Sequence, residues 1–340
     1  MSPKGRNSNL IIMGGKNSMS NLEKMGAIIS MFVAQLGKHG KNWLKMWTAN
    51  GMPLRYNGKP YTGINIFILW DAIARNKYKS NTFVTWKMVM DAGGRVKEDQ
   101  AKKYHTIVKV LTGEYLKKEE DSNGDEKTIL KPWRKLKFFR VYNIDQTTLD
   151  DKWAKPKAKS DMARTLPHVE EYVTNTKADI RYDDDFAGRC YYVPSQDYIG
   201  MVSRDQFRKT DVGATENYYS VLLHELTHWT EKRVGRDEYK KSKYFEKYKD
   251  NELYAWEELV AELGSAIQSC LLGIIMEPAK HSIQYFDIWK DRIKNDPEMI
   301  VKACAQASKA VQYIDTLQPE DKQKFQHVFP KEVIKKQNAA

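Results

Sequence analysis

The sequence predicts an α+β chain: N-terminal helices with a small antiparallel sheet, then a mostly helical second half with a short sheet of its own. Three observations predict it. Apolar residues recur at spacings of three and four, shift toward a spacing of two across residues 104–144, and return to helical spacing from about Glu216. At 340 residues the chain is long enough for two cores. Its 41% hydrophobic and 29% charged residues make a globular composition.

In order, residues 1–19 are rich in Gly, Ser, Asn and Lys and are expected to be disordered. In NLEKMGAIISMFVAQLGKHGKNWLKMW, Leu22, Met25, Ile28, Ile29, Phe32, Val33 and Leu36 form one apolar helical face, with Ser20 as N-cap and Gly40 near the end. GMPLRYNGKPYTGIN, with Pro53, Asn57-Gly58, Pro60 and Gly63, reads as a turn-rich loop. Helices are expected around Ile64 to Ala74 and Phe83 to Ala92, the second stopped by Gly93-Gly94. YHTIVKVLTGEYL and WRKLKFFRVYNI read as strands, joined by the polar loop EEDSNGDEK with a turn at Asn123-Gly124. DQTTLDDKWAKPKAKSD is charged, aperiodic and contains Pro156, as a linker does. RCYYVPSQDYIGMV reads as one or two strands, and the remainder as helical.

Charge is divided unevenly. Residues 1–150 hold 26 Lys and Arg against 13 Asp and Glu, a net of +13, and the remaining 190 hold 30 against 31, a net of −1. A basic half attracts polyanions, whereas a neutral half with its own motif suggests separate chemistry. Cys190, Cys270 and Cys304 are far apart and in no metal-binding spacing, so they read as small buried groups in a reducing compartment. No stretch approaches the roughly 18 uncharged apolar residues of a membrane span and no secretory leader is evident, so a cytoplasmic location with no membrane partner is expected.

The chemical motif is HELTHW, His224 to Trp229. Histidines at i and i+4 on a helix share one face and can present ring nitrogens to one metal ion. Zinc suits them: a catalytic site has three protein ligands and an open position for water, whose pKa falls to roughly 7. Glu225 follows the first histidine, where a carboxylate can take a proton from that water. The third ligand is sought in YAWEELVAELGSAIQ, which places Glu258 and Glu262 at i and i+4. Glu258 is assigned to the metal and Glu262 to orienting a ligand imidazole. Glu257 can exchange roles if the helix phase differs, and His281 is the histidine alternative. His39, His105, His168 and His327 read as ordinary polar residues.

In the basic half, cations alternate with aromatics, as in KNWLKMW, RYNGKPY and KPWRKLKFFRVY. Cations that track phosphates and rings that accept unstacked bases are what single-stranded nucleic acid needs. The residues expected to touch it are Arg55, Tyr56, Lys59, Tyr61, Lys87, Arg95, Lys97, Lys131, Trp133, Arg134 and Lys135.

The chain resembles the ArdC-type antirestriction proteins of mobile genetic elements. The resemblance rests on YTGINIFILW, TFVTWKMVMDAGGRVK and FFRVYNIDQT, then on NYYSVLLHELTHW, YAWEELVAELGSAI and ACAQASKAVQYI, in order over roughly residues 20–320. It implies a single-stranded DNA-binding domain (20–150), a linker (151–170) and a zincin-like metallopeptidase domain (171–325), with a tail at 326–340. It further implies His224 and His228 as metal ligands, Glu225 as the catalytic glutamate, and protection of incoming plasmid or phage DNA from host nucleases. RVKEDQAKKYH stands where the family commonly has a second glycine-rich basic turn, and EEDSNGDEK lies outside the family pattern. Two other readings remain: a DNA-tethered zinc protease that cuts DNA-bound or host defence proteins, and a DNA-coating protein whose zinc is structural. The peptide substrate is left open by the sequence.

Overall fold

The computed structural model describes Lys24, Gly26, Ala27, Ile28, Ser30, Met31 and Ala34, then residues 51–120, 126–151, 165–182, 189–207, 213–274, 285–296 and 298–325. At positions 110, 112–120, 126–135 and 286 only the backbone is described. The seven early residues are all helical, and Ile28, one of the apolar-face residues, is buried.

The first sheet has the order β1 (Leu54–Arg55), β2 (Thr82–Val84), β4 (Glu126–Asn143), β3 (His105–Glu120). It is not wholly antiparallel, because the two-residue β1 pairs parallel to β2, with Leu54 opposite Thr82. The long β3–β4 hairpin is antiparallel, from His105 opposite Val141 to Glu120 opposite Glu126. The charged residues flanking the expected loop are therefore strand, and the Asn123-Gly124 turn lies outside the described residues.

Helix α1 (Ile64–Asn76) buries Ile66, Phe67, Leu69, Trp70 and Ile73. Such a helix, apolar almost all round, belongs inside the molecule. The expected helix at Phe83 is corrected: Thr82, Phe83 and Val84 are a fully buried strand. These β-branched and aromatic residues fill the slot between β1 and β4, and sheet pairing overrides the weak helical pattern. The helix α2 (Trp86–Asp91) starts only after Thr85, whose hydroxyl accepts from Met88 N at 3.2 Å.

In the second half, α3 (Pro167–Thr174) begins with proline at its first position. A three-stranded sheet follows in the order β5 (Asp179–Tyr182), β7 (Tyr198–Met201), β6 (Tyr191–Val193), with β5 parallel and β6 antiparallel to β7. Among the described residues, the expected helical region holds α4 (Ala214–Trp229), α5 (Arg236–Lys240), α6 (Asp250–Leu271), α7 (Phe286–Asn295) and α8 (Glu298–Thr316). Among the described residues no helix is long and apolar enough to cross a membrane.

Two clusters of apolar side chains place the site. Ile199 and Met201 of β7 pack on Tyr218, Leu222, Leu223 and Leu226 of α4. The other cluster runs from Phe67, Leu69 and Trp70 of α1 through Trp256, Leu259, Val260 and Leu263 of α6 to Ile300, Ala303 and Ala307 of α8. Helix α6 is thus enclosed, buried without interruption from Ala255 to Cys270. Glu257, Glu258 and Glu262 on it are buried with it. Buried carboxylates are costly without partners, so their partners are where chemistry is to be sought.

Candidate metal centre and basic surface

The 3.6-residue period of α4 sets His224 and His228 one above the other, with their Nε2 atoms 3.1 Å apart. Helix α6 crosses α4 at this point. The carboxylate of Glu258 lies with Oε2 3.4 Å from His224 Nε2 and Oε1 3.6 Å from His228 Nε2. A tetrahedral zinc with ligand bonds of about 2.0 Å has ligand–ligand edges of roughly 3.3 Å, so these donors fit one ion. Among the described residues, His224, His228 and Glu258 form the group able to hold a metal. His281 lies outside the described residues.

Each imidazole has a carboxylate at its other nitrogen. Glu262 Oε1 is 3.5 Å from His224 Nδ1, and Glu257 Oε1 is 3.2 Å from His228 Nδ1. The adjacent Glu257 therefore belongs to the same site, on the His228 side. Carboxylates in these positions fix tautomer and ring orientation. Glu257 is held in turn by Arg236, which is fully buried: Nε donates to Oε2 at 2.9 Å and Nη2 to Oε1 at 2.8 Å. Arg236 Nη2 also donates to Thr227 O at 2.9 Å, which ties this relay to the turn of α4 that carries the histidines.

Electrostatics follow from this enclosure. Burial pushes the His228 imidazole down, but the hydrogen bond to Glu257 and the charges of Glu258, Glu257 and Glu225 outweigh it and raise it to about 9. Burial likewise raises Glu257, but the Arg236 guanidinium, the His228 bond and Lys240 hold it well below the usual carboxylate range. Glu225 is buried, and its Oε1 accepts no hydrogen bond from any described residue. A buried acceptor with no partner is suited to hold a water proton.

Two residues of this site had escaped the sequence. Arg236 follows a glycine in a segment with no periodicity, and only the tertiary fold buries it under Glu257. Tyr254 precedes Glu258 by one turn and is 54% exposed, and its hydroxyl is held above its ordinary range by partial burial and by the Glu258 charge. Its spacing was readable, yet nothing in the sequence separates it from a surface tyrosine.

On the basic half, Arg55, Lys59, Lys87, Arg95 and Lys97 are exposed and Tyr56 is half-buried. The Lys97 ammonium donates to Asp145 O at 2.8 Å. Tyr61 is corrected to a core residue, with its ring edge-on to Phe83 and the Arg55 guanidinium 5.5 Å above it. Lys131, Trp133, Arg134 and Lys135 lie on β4 opposite Tyr115, Gly113, Thr112 and Leu111, and their side chains are outside the description. Of the remaining histidines, His168 Nε2 is 3.0 Å from Leu272 O and His105 Nε2 is 3.0 Å from Tyr78 OH, whereas His39 and His327 are not described.

Comparison with known proteins gives two family matches. Residues 24–144 match the N-terminal domain of the anti-restriction factor ArdC, and residues 167–306 match a zincin-like metallopeptidase domain. The metal-free crystal structure of the antirestriction ArdC protein from plasmid R388 superposes with a TM-score of 0.65 at 31% identity, over 89% of this chain and 99% of that one. Its Mn(II)-bound structure gives 0.64 at 29% identity, over 86% and 97%. The DNA primase TraC of Escherichia coli is 28% identical over 84% of this chain, which spans only 26% of the primase. The protein y4eC of Sinorhizobium fredii is 25% identical over 85% of this chain and 89% of its own length.

Proposed function

The chain belongs to the ArdC antirestriction family, and from that premise we propose that it binds single-stranded DNA of a mobile genetic element, protects it from host nucleases in the host cytoplasm, and carries a zinc-dependent peptidase centre. The observation that supports it best is the convergence of His224, His228 and Glu258 beside the unpartnered oxygen of Glu225. The metal-bound form of the R388 relative supports a metal cofactor here.

His224, His228 and Glu258 would hold the ion, while Glu262 and Glu257 would orient the two imidazoles. A zinc ion held there would supply an acidified water and a polarised carbonyl. Glu225 takes the proton of the attacking water on Oε1 and returns it to the leaving amine. Burial of the carboxylates keeps bulk water from screening that transfer. The +13 half supplies the attraction for DNA, and its log affinity falls linearly with log salt.

The test pairs two measurements on the wild type and Glu225→Gln. Expression of the wild-type chain raises the yield of unmodified plasmid entering a restricting host, and the purified chain cleaves an unstructured protein such as casein. Glu225→Gln keeps the metal and loses cleavage by roughly a hundredfold or more. No gain in plasmid yield sinks the antirestriction reading; no cleavage by the metal-loaded wild type sinks the peptidase one.

A further inference from the structure

Helix α2 buries only Val89 and leaves Trp86 47% and Met90 52% exposed. The two are i and i+4, so they stand side by side on one face of the helix. A tryptophan left half in water next to an exposed methionine calls for a ligand. Beneath them, Val84, Val89, Val96 and Tyr142 make a small core of their own, rimmed by Tyr56 and Tyr104. Trp86 meets Tyr142 edge to face, at 6.0 Å and 62°. Tyr142 is itself fixed, buried and donating its hydroxyl to Ala101 O at 2.8 Å, so the indole with area to offer is that of Trp86.

The setting is cationic. Exposed Arg140, two residues along β4 from Tyr142, stacks on the Tyr104 ring with its guanidinium 4.3 Å from the centroid. Lys87 is exposed on α2, and Arg95 follows the Gly93-Gly94 turn. Residues 86–103 carry five Lys and Arg against three Asp and Glu, Asp91, Glu98 and Asp99, within a half whose net charge is +13. An apolar partner protein has no use for a cationic surface beside the indole. An unstacked base flanked by phosphates uses both.

We propose that Trp86 is a stacking platform for a base of single-stranded nucleic acid, with Met90 beside it and Arg140, held on Tyr104, on the flanking phosphate. The proposal rests on the single-stranded DNA reading above and names its contact surface. Trp86, Met90, Tyr104 and Arg140 stand outside the residues expected to touch nucleic acid, whereas Lys87 and Arg95 beside them are among those residues.

The experiment measures binding of a fluorescent oligo(dT) by the full chain across a salt series, for the wild type, Trp86→Ala, Trp86→Phe and Arg140→Ala. Thermal melts confirm folding of each variant. Expected are a loss of about tenfold for Trp86→Ala with the salt slope kept, and recovery of most of it by Trp86→Phe. Arg140→Ala weakens binding and flattens the slope by about one ion's worth. If the wild type binds and Trp86→Ala binds equally well, the platform is refuted and the DNA reading stands. If the wild type ignores oligo(dT) at low salt, the DNA reading fails and takes the platform with it. A Trp86→Ala effect on self-association alone, with DNA binding unchanged, also refutes the proposal by making the patch a contact between copies.

Discussion

At the residue scale the site is a problem of charge held in place. Four buried glutamates, Glu225 of α4 and Glu257, Glu258 and Glu262 of α6, surround two histidines, and the pairing of Glu257 with Arg236 keeps one of those charges compensated by a full cation. Among these groups His228 is raised, and it responds to pH. Its pKa in the metal-free fold, about 9, stands above its ordinary value of 6.5, so the folded state holds the proton more tightly than the unfolded chain. That stability is fully present below pH 6.5 and is lost as pH rises through 9. The melting temperature of chelator-treated protein therefore falls by a few degrees between these values, and Glu257→Gln removes most of the fall. A flat or rising profile in calorimetry contradicts the assignment. His224, Glu225 and His228 were legible because their spacing is local. Arg236 was not, because a lone arginine after a glycine acquires meaning only from the helix that comes to lie over it.

At the element scale the centre is a crossing of two helices. Gly264 permits it: a Cβ there would stand 2.5 Å from Thr227 Cγ2 and 2.7 Å from Thr227 Oγ1. Thr227 cannot easily yield, being fully buried, with its hydroxyl bonded to Leu223 O and to Gln268 Nε2. Gly264→Ala gains about 1 kcal/mol of helix propensity but incurs an overpacking cost of about 1–3 kcal/mol. We expect a net loss of stability in urea denaturation and weaker metal binding in chelator competition, since α6 carries Glu258 two turns from the clash. A variant more stable than the wild type, with metal affinity unchanged, contradicts the close crossing. Periodicity made α4 and α6 readable, down to the shared face of Glu258 and Glu262. It misjudged Phe83, since a three-residue strand leaves too short a pattern to outweigh the helical residues that follow.

At the scale of the whole molecule, the division into a basic and a neutral half was written in the charges, and the strands of the long hairpin in the spacing of apolar residues. The shared core was not. Helix α1 of the basic half and helices α6 and α8 of the neutral half bury their apolar residues in one cluster, so the helix that bears Glu258 is backed by residues of the DNA-attracting half. Contacts between segments nearly two hundred residues apart leave no mark on local spacing. On the function proposed above, α4 and α6 together hold one metal ion through His224, His228 and Glu258. Elemental analysis of the full chain after dialysis against zinc, wild type beside Glu258→Ala, tests it most directly. One zinc per wild-type chain and close to none in the variant is the expected result; a variant that retains one zinc per chain contradicts a Glu258 ligand.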